Sequence, residues 1–160
     1  MKFFIIALVG LLSLSDCSKP LELVESGGPY SDNDGLLFYS ALRCSNLAGY
    51  HNNSDEQLRL FELGNKVGKE FVRRTIDKSM DESEWEKAPV GITWELGGGP
   101  SIDFRLGYIY KSIETDVYAT VTKKDENGVL FNDVLDWRDD KERQVYSMQL
   151  FQNSNCSLLT

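Results

Sequence analysis

His51 is the only histidine in the chain. A Ser-His-Asp triad, a Cys-His nucleophile pair or an imidazole-held metal would therefore have to be built on it. It falls in Tyr50-His51-Asn52-Asn53-Ser54, whose composition reads as a turn. Cys44 is its candidate partner on paper. However, Cys44 shares an apolar helical stripe with Leu37, Ala41 and Ala48, where a thiol packs as a small hydrophobe and is inert. The sequence holds no CxxC, no HExxH and no cysteine pair at ligand spacing. Neither a metal nor another cofactor is expected. Gly97-Gly98-Gly99-Pro100-Ser101 precedes a helix and offers its free N–H groups to an anion. It lacks the lysine of a phosphate loop and follows no Rossmann strand, so it reads as a connector. Paired carboxylates are the remaining route to catalysis, since glycan hydrolysis needs two acids roughly 5–9 Å apart in a cleft. Glu62, Glu70, Glu95 and Asp103 are the candidates. In a chain with 25 acidic residues, solvated surface carboxylates are the plainer reading.

The elements that must position these residues begin after an expected export signal. Lys2 is followed by ten apolar residues, Phe3 to Leu12, and then by Ser13-Leu14-Ser15. That order of charge, apolar run and small residues defines a signal peptide, assigned here to residues 1–17. Ten residues fall far short of the roughly 20 a bilayer-spanning helix needs. No second long apolar run follows, so no transmembrane segment is expected. Leu14-Ser15-Asp16-Cys17 is similar to a bacterial lipobox and makes Cys17 the candidate for lipidation, although Asp16 stands where such boxes carry a small residue. Cleavage after Ser15 is the alternative. Either way the protein is expected to be periplasmic or extracellular.

Seventeen basic against 25 acidic residues give a net charge of −8. Nucleic acid and anionic membrane surfaces both demand a positive footprint, and no Lys/Arg cluster supplies one. If Cys17 is lipidated, Cys44 and Cys156 remain, and an oxidising compartment favours joining them. Such a bridge closes a loop long enough to stabilise by roughly 3–5 kcal/mol in the chain-entropy account. The alternative is two unrelated thiols.

The clearest helical signal is Ser54 to Lys78, with Leu60, Gly64, Val67 and Phe71 on one stripe and Phe61, Gly68 and Val72 beside it. Ser54 as N-cap and Gln57 three residues on would form a capping box. Before it, residues 18–34 read as an irregular lead-in, and a first helix runs from about Gly35 to Ala48. Val90 to Leu96 is either a strand-like excursion or part of a loop. A third helix opens at Pro100 or Ser101 and ends near Thr122, its core spacing set by Ile102, Leu106, Ile109, Ile113 and Val117. A fourth runs from about Val129 to Gln152 with Leu130, Val134, Trp137, Val145 and Met148 inward, unless the WRDDKER stretch breaks it in two. The expected fold is all-α: a four-helix bundle-like domain over residues 35–160, with one irregular crossover and a closing disulfide. Gly64, Gly68 and Gly107 cost about 1 kcal/mol each within helices. Close helix–helix contact is the expected return.

Trp85, Trp94, Phe104 and Tyr108, with Tyr110, lie on or beside the crossover and form a candidate partner surface. The layout as a whole resembles small exported proteins of unknown function from bacteria and phages. The shared features are a signal peptide, an early cysteine-bearing helix (ALRCSNL), a glycine-bearing helix (FELGNKVGKEF), a proline-initiated helix (GPSIDFRLGYIY) and a closing Asn-Cys-Ser-Leu. The resemblance implies an all-helical, disulfide-closed periplasmic protein and carries no activity with it. The expected function is an exported helical module that binds a protein or envelope component. A small secreted hydrolase using paired carboxylates is the alternative.

Overall fold

The computed structural model describes residues 34–96 and 98–160. The expected signal peptide, the lipidation candidate Cys17, residues 18–33 of the lead-in and Gly97 lie outside them. Helix α1 (Asp34–Tyr50) and helix α2 (Ser54–Ile76) form the principal packed pair. Their tight connection turns on Asn52, whose φ of 60° is left-handed, a conformation asparagine tolerates better than most residues. Asn53 then caps α2, its side-chain oxygen accepting from Glu56 N at 3.3 Å. The cap therefore falls one residue before the expected Ser54, because asparagine serves as well as serine there. Gln57 makes no capping box and lies instead over Gly49. Gly49 itself sits within α1, which runs two residues past the expected end.

Two glycines allow the close approach of α1 and α2. A Cβ on Gly64 would come within 2.5 Å of Leu42, and one on Gly68 within 2.4 Å of Phe38. The buried core on this pair comprises Phe38, Leu42, Leu47, Leu60, Phe71 and Val72. Phe38 and Phe71 meet at 6.1 Å between ring centroids. Ser45 adds a polar tie, donating from Oγ to Gln57 O at 2.8 Å.

Cys44 is disulfide-bonded to Cys156, with Cα atoms 5.6 Å apart and a sequence separation of 112. Both cysteines are buried. Arg59 reinforces this closure from α2, donating to Leu159 O at 2.6 Å while pairing with Glu56. The final helix and the closing 3-10 turn, Cys156–Leu158, thereby lie against α1.

The crossover is helical, in contrast to the expected strand or loop. It holds two short helices, α3 (Glu82–Lys87) and α4 (Val90–Glu95). Ala88 in the link between them, Ile92 of α4 and Leu96 at its C-cap are all buried, which holds the crossover against the core. Asp81 and Glu84 form a capping box that starts α3. Arg74 of α2 pairs with Glu84 and lies 3.9 Å from Asp34. At the far end Arg105 donates to Leu96 O at 2.8 Å, and Ser112 to Glu95 at 3.2 Å. The crossover is thus fastened to the helices on both sides of it.

Helix α5 (Ile102–Lys123) begins where expected, with Ser101 accepting from Phe104 N. Leu106, Ile109, Ile113, Val117 and Val121 are buried along it, and it packs on both α1 and α2. The expected fourth helix is corrected in its first half. Lys124 and Leu130 form an isolated antiparallel bridge, Val134–Asp136 is a 3-10 turn, and α6 covers only Asp140–Asn153. An Asp139–Glu142 capping box restarts the helix, and the break resets its phase. Leu130, Val134, Val145 and Met148, expected inward, are exposed. Ser147 and Phe151 are the buried positions of α6. No strand occurs among the described residues, and no described helix is long and apolar enough to cross a membrane.

Candidate functional site

Where α5 lies along the α1–α2 pair, the three helices leave a groove of about 350 Å³. Phe38 and Leu42 of α1, Phe61 and Asn65 of α2, and Asp103, Leu106, Gly107 and Tyr110 of α5 line it. The first two are the side chains that fill the space left by Gly64 and Gly68, so the same packing that closes α1 on α2 forms the groove floor. The α5 contribution follows i, i+3, i+4, i+7 spacing, which places these four positions on one face.

Gly107 acts differently from the other two glycines. Nothing lies within 4 Å of the position its Cβ would take. The expectation of close helix contact there is corrected, because no neighbour approaches and the missing side chain leaves the groove open. Phe61 and Tyr110 stand edge to face, 5.5 Å apart at 90°, joining α2 to α5 as a wall. On its other side a smaller depression of about 240 Å³ is lined by Ser45, Gln57 and Leu58 as well as by the same two rings. Burial pushes the Tyr110 hydroxyl above its ordinary pKa, and Glu114 adds to this while Asn46 opposes it by hydrogen bonding. The hydroxyl is therefore neutral at physiological pH and available as donor and acceptor. At the rim, Lys69 reaches Asp103 at 3.4 Å. The arrangement is an apolar slot with a few polar groups at its edge, the usual composition of a binding cleft.

The residues singled out from sequence are dispersed. Trp85, Phe104 and Tyr108 are exposed, and none of them lines the groove. Phe104 lies against Gly99. Tyr108 lines a separate depression with Glu95 and Ser112. The Trp94 side chain lies outside the described atoms. Among the aromatics beside the crossover, Tyr110 reaches the groove, and the Phe61 it meets comes from α2.

The four carboxylate candidates have separate engagements. Glu70 pairs with Arg73, Asp103 with Lys69, Glu95 accepts from Ser112, and Glu62 is exposed. Only Asp103 lines the groove. His51 is bound through its ring nitrogen Nδ1 to Leu47 O at 2.8 Å and stands edge-on to Phe151 at 5.0 Å. It fastens the end of α1 to α6. Cys44 is in the disulfide and so is no nucleophile. Among the described residues no group of three or more His, Cys, Asp or Glu side chains is placed to hold a metal.

Phe38, Leu42, Phe61 and Asn65 escape sequence reasoning as site residues because each also reads as core or helix surface. The available signal was on α5, where a glycine interrupts a stripe running from Asp103 through Leu106 to Tyr110. Comparison with protein-family models, with curated proteins and with solved structures finds no match to this chain.

Proposed function

We propose that this chain is an exported, non-enzymatic helical module that binds an apolar segment of a cell-envelope protein in the groove between α1, α2 and α5. In this reading α1, α2, α5 and α6 form a bundle-like body, with α3 and α4 as its irregular crossover. The carrying observation is the open space at Gly107 beside Phe38, Leu42, Leu106 and the Phe61–Tyr110 pair. Phe38, Leu42 and Leu106 make a buried floor and Phe61 is the exposed apolar wall; an exposed apolar wall beside open space marks an interaction site, and a volume of about 350 Å³ suits one or two large side chains. The export reading rests on the Lys2, Phe3–Leu12 and Ser13–Ser15 order and on the buried disulfide, since such bonds persist in oxidising compartments.

The test is affinity capture from a solubilised envelope fraction with the wild-type protein and with Gly107→Leu, compared by quantitative mass spectrometry. A Cβ at position 107 meets nothing within 4 Å, and circular dichroism checks that the variant is folded. The reading expects a specific polypeptide enriched by the wild type and lost from the variant. Equal capture by both proteins refutes the groove. Turnover of peptidoglycan or peptide by the wild type, without a captured partner, refutes the binding function and favours a carboxylate hydrolase.

A further inference from the structure

The chain enters α1 close to the groove. Asp34, the first residue of α1, is followed at four-residue spacing by Phe38 and Leu42, which puts the three on one stripe of the helix. Phe38 and Leu42 line the groove, so its near end lies one turn, about 6 Å, beyond the residue where the preceding segment joins. That segment carries one short apolar run, Leu21, Leu23 and Val24, set between Pro20 and Gly27-Gly28. Nine residues separate Val24 from Asp34, and ten extended steps cover up to about 33 Å. Leu42, at the far side of the α1 floor, is about 12 Å along the helix from Asp34. Gly27, Gly28 and Pro29 are residue types that let a chain reverse. The run therefore has the length to come back over the whole groove.

Spacing and volume match as well. In an extended segment Leu21 and Leu23 stand on one side about 7 Å apart, and Phe38 and Leu42 are about 6 Å apart along the floor. Two leucine side chains suit a groove of about 350 Å³ that Gly107 leaves open. The rim sets no strong charge preference. Asp103, the charged residue among those lining it, is paired with Lys69 at 3.4 Å. Apolar fit and proximity then decide between occupants. A segment tethered this closely is present at an effective concentration of order millimolar. The same run on a second copy competes only at the concentration of the protein itself.

We infer that the run Leu21 to Val24 of this same chain occupies the groove in the unbound protein, and that the envelope polypeptide must displace it. This rests on the reading of the groove as a site for an apolar segment. Docking there takes Leu21 and Leu23 out of water together with the exposed ring of Phe61. The run is a built-in competitor. It lowers the apparent affinity for the partner by the fraction of molecules whose groove it leaves free.

Native proteolysis of the protein purified from producing cells tests this. Cleavage by a glutamyl endopeptidase is timed by mass spectrometry at Glu25, beside the run, with exposed Glu126 as internal reference. Gly107→Leu puts a side chain into the groove, and Leu21→Ser/Leu23→Ser removes the apolar run. Each is expected to speed cleavage at Glu25 about tenfold or more over the wild type and to leave Glu126 unchanged. Combining the two should add nothing further, because both break the same contact. Envelope capture by Leu21→Ser/Leu23→Ser should exceed that by the wild type. Equal cleavage of wild type and Gly107→Leu at Glu25 overturns the inference, as does equal capture by wild type and Leu21→Ser/Leu23→Ser. So does protection that rises with protein concentration, which gives the groove to the run of a second copy. Any of these beside a captured partner leaves the binding reading standing. Protection at Glu25 lost in Gly107→Leu, with no envelope polypeptide captured by any variant, supports the occupied groove and strikes the partner instead.

Discussion

Gly64, Gly68 and Gly107 lack the same side chain and answer to different neighbours. Alanine at Gly64 or Gly68 would drive a methyl into Leu42 or Phe38 at 2.4–2.5 Å. Overpacking of that kind costs about 1–3 kcal/mol, set against the helix propensity gained. Gly107→Ala meets nothing within 4 Å and is expected to gain up to about 1 kcal/mol. Urea melts of the three variants should therefore show lowered midpoints for Gly64→Ala and Gly68→Ala and a raised one for Gly107→Ala. A raised midpoint for all three would mean that α1 and α2 are not in close contact. The sequence shows each glycine inside a helical stripe. It does not show whether a neighbour fills the space, because that depends on a helix far away in the chain. The same limit applies to the aromatics. Tyr108 and Tyr110 are two residues apart on α5 and line different depressions, since successive helical residues are separated by about 100°.

At the scale of elements, α1, α2 and α5 were legible because their apolar residues recur at helical spacing over many turns. The crossover was less legible. Pro89, Gly91 and the β-branched residues Val90, Ile92 and Thr93 all weaken a helical reading. What prevailed was burial of the apolar residues Ala88, Ile92 and Leu96 in and beside two short helices, overriding propensity. The second half of the chain misled in another way. Leu130, Val134, Trp137, Val145 and Met148 share one stripe only if the helix is continuous, and the new cap at Asp139 breaks it. The crossover's attachment makes a prediction of its own. Arg74 and Glu84 form a largely buried pair, with side chains 12% and 9% exposed. Glu84→Ala removes one partner of that pair and part of the α3 capping box, at an expected cost of about 2–3 kcal/mol. Hydrogen exchange should show it as faster exchange concentrated in residues 81–96. Unchanged protection there would mean that the pair does not hold the crossover.

For the whole molecule, the bond between Cys44 and Cys156 ties the first described helix to the end of the chain across 112 residues. In the chain-entropy account such a closure stabilises by roughly 3–5 kcal/mol. The Cys44→Ala/Cys156→Ala double variant is expected to lose about that much in denaturant titrations, and a loss below about 1 kcal/mol would contradict the closure. Stability should also fall at both ends of the pH scale. Tyr39, Tyr50 and Tyr110 have raised pKa values, burial being the first cause in each. The folded state holds these protons longer than the unfolded chain, so their contribution is complete below pH 10 and is lost as pH rises through the raised values. Glu56, lowered chiefly by its hydrogen bond from Arg59, and Asp125, lowered by the backbone N–H of Val129, act in the opposite sense. Their contribution is present above the ordinary carboxylate range, about pH 4, and disappears as pH falls through the depressed values. Thermal melts across the range, read beside tyrosinate absorbance, check both limbs. A melting temperature that stays flat from pH 9 to strongly alkaline conditions would contradict the alkaline one.

The most direct test of the binding assignment is photocrosslinking from position 107 in producing cells. A benzophenone side chain there is predicted to give one discrete adduct with an envelope polypeptide, absent when the same probe replaces exposed Lys78. No adduct from position 107, or the same products from both positions, would contradict it.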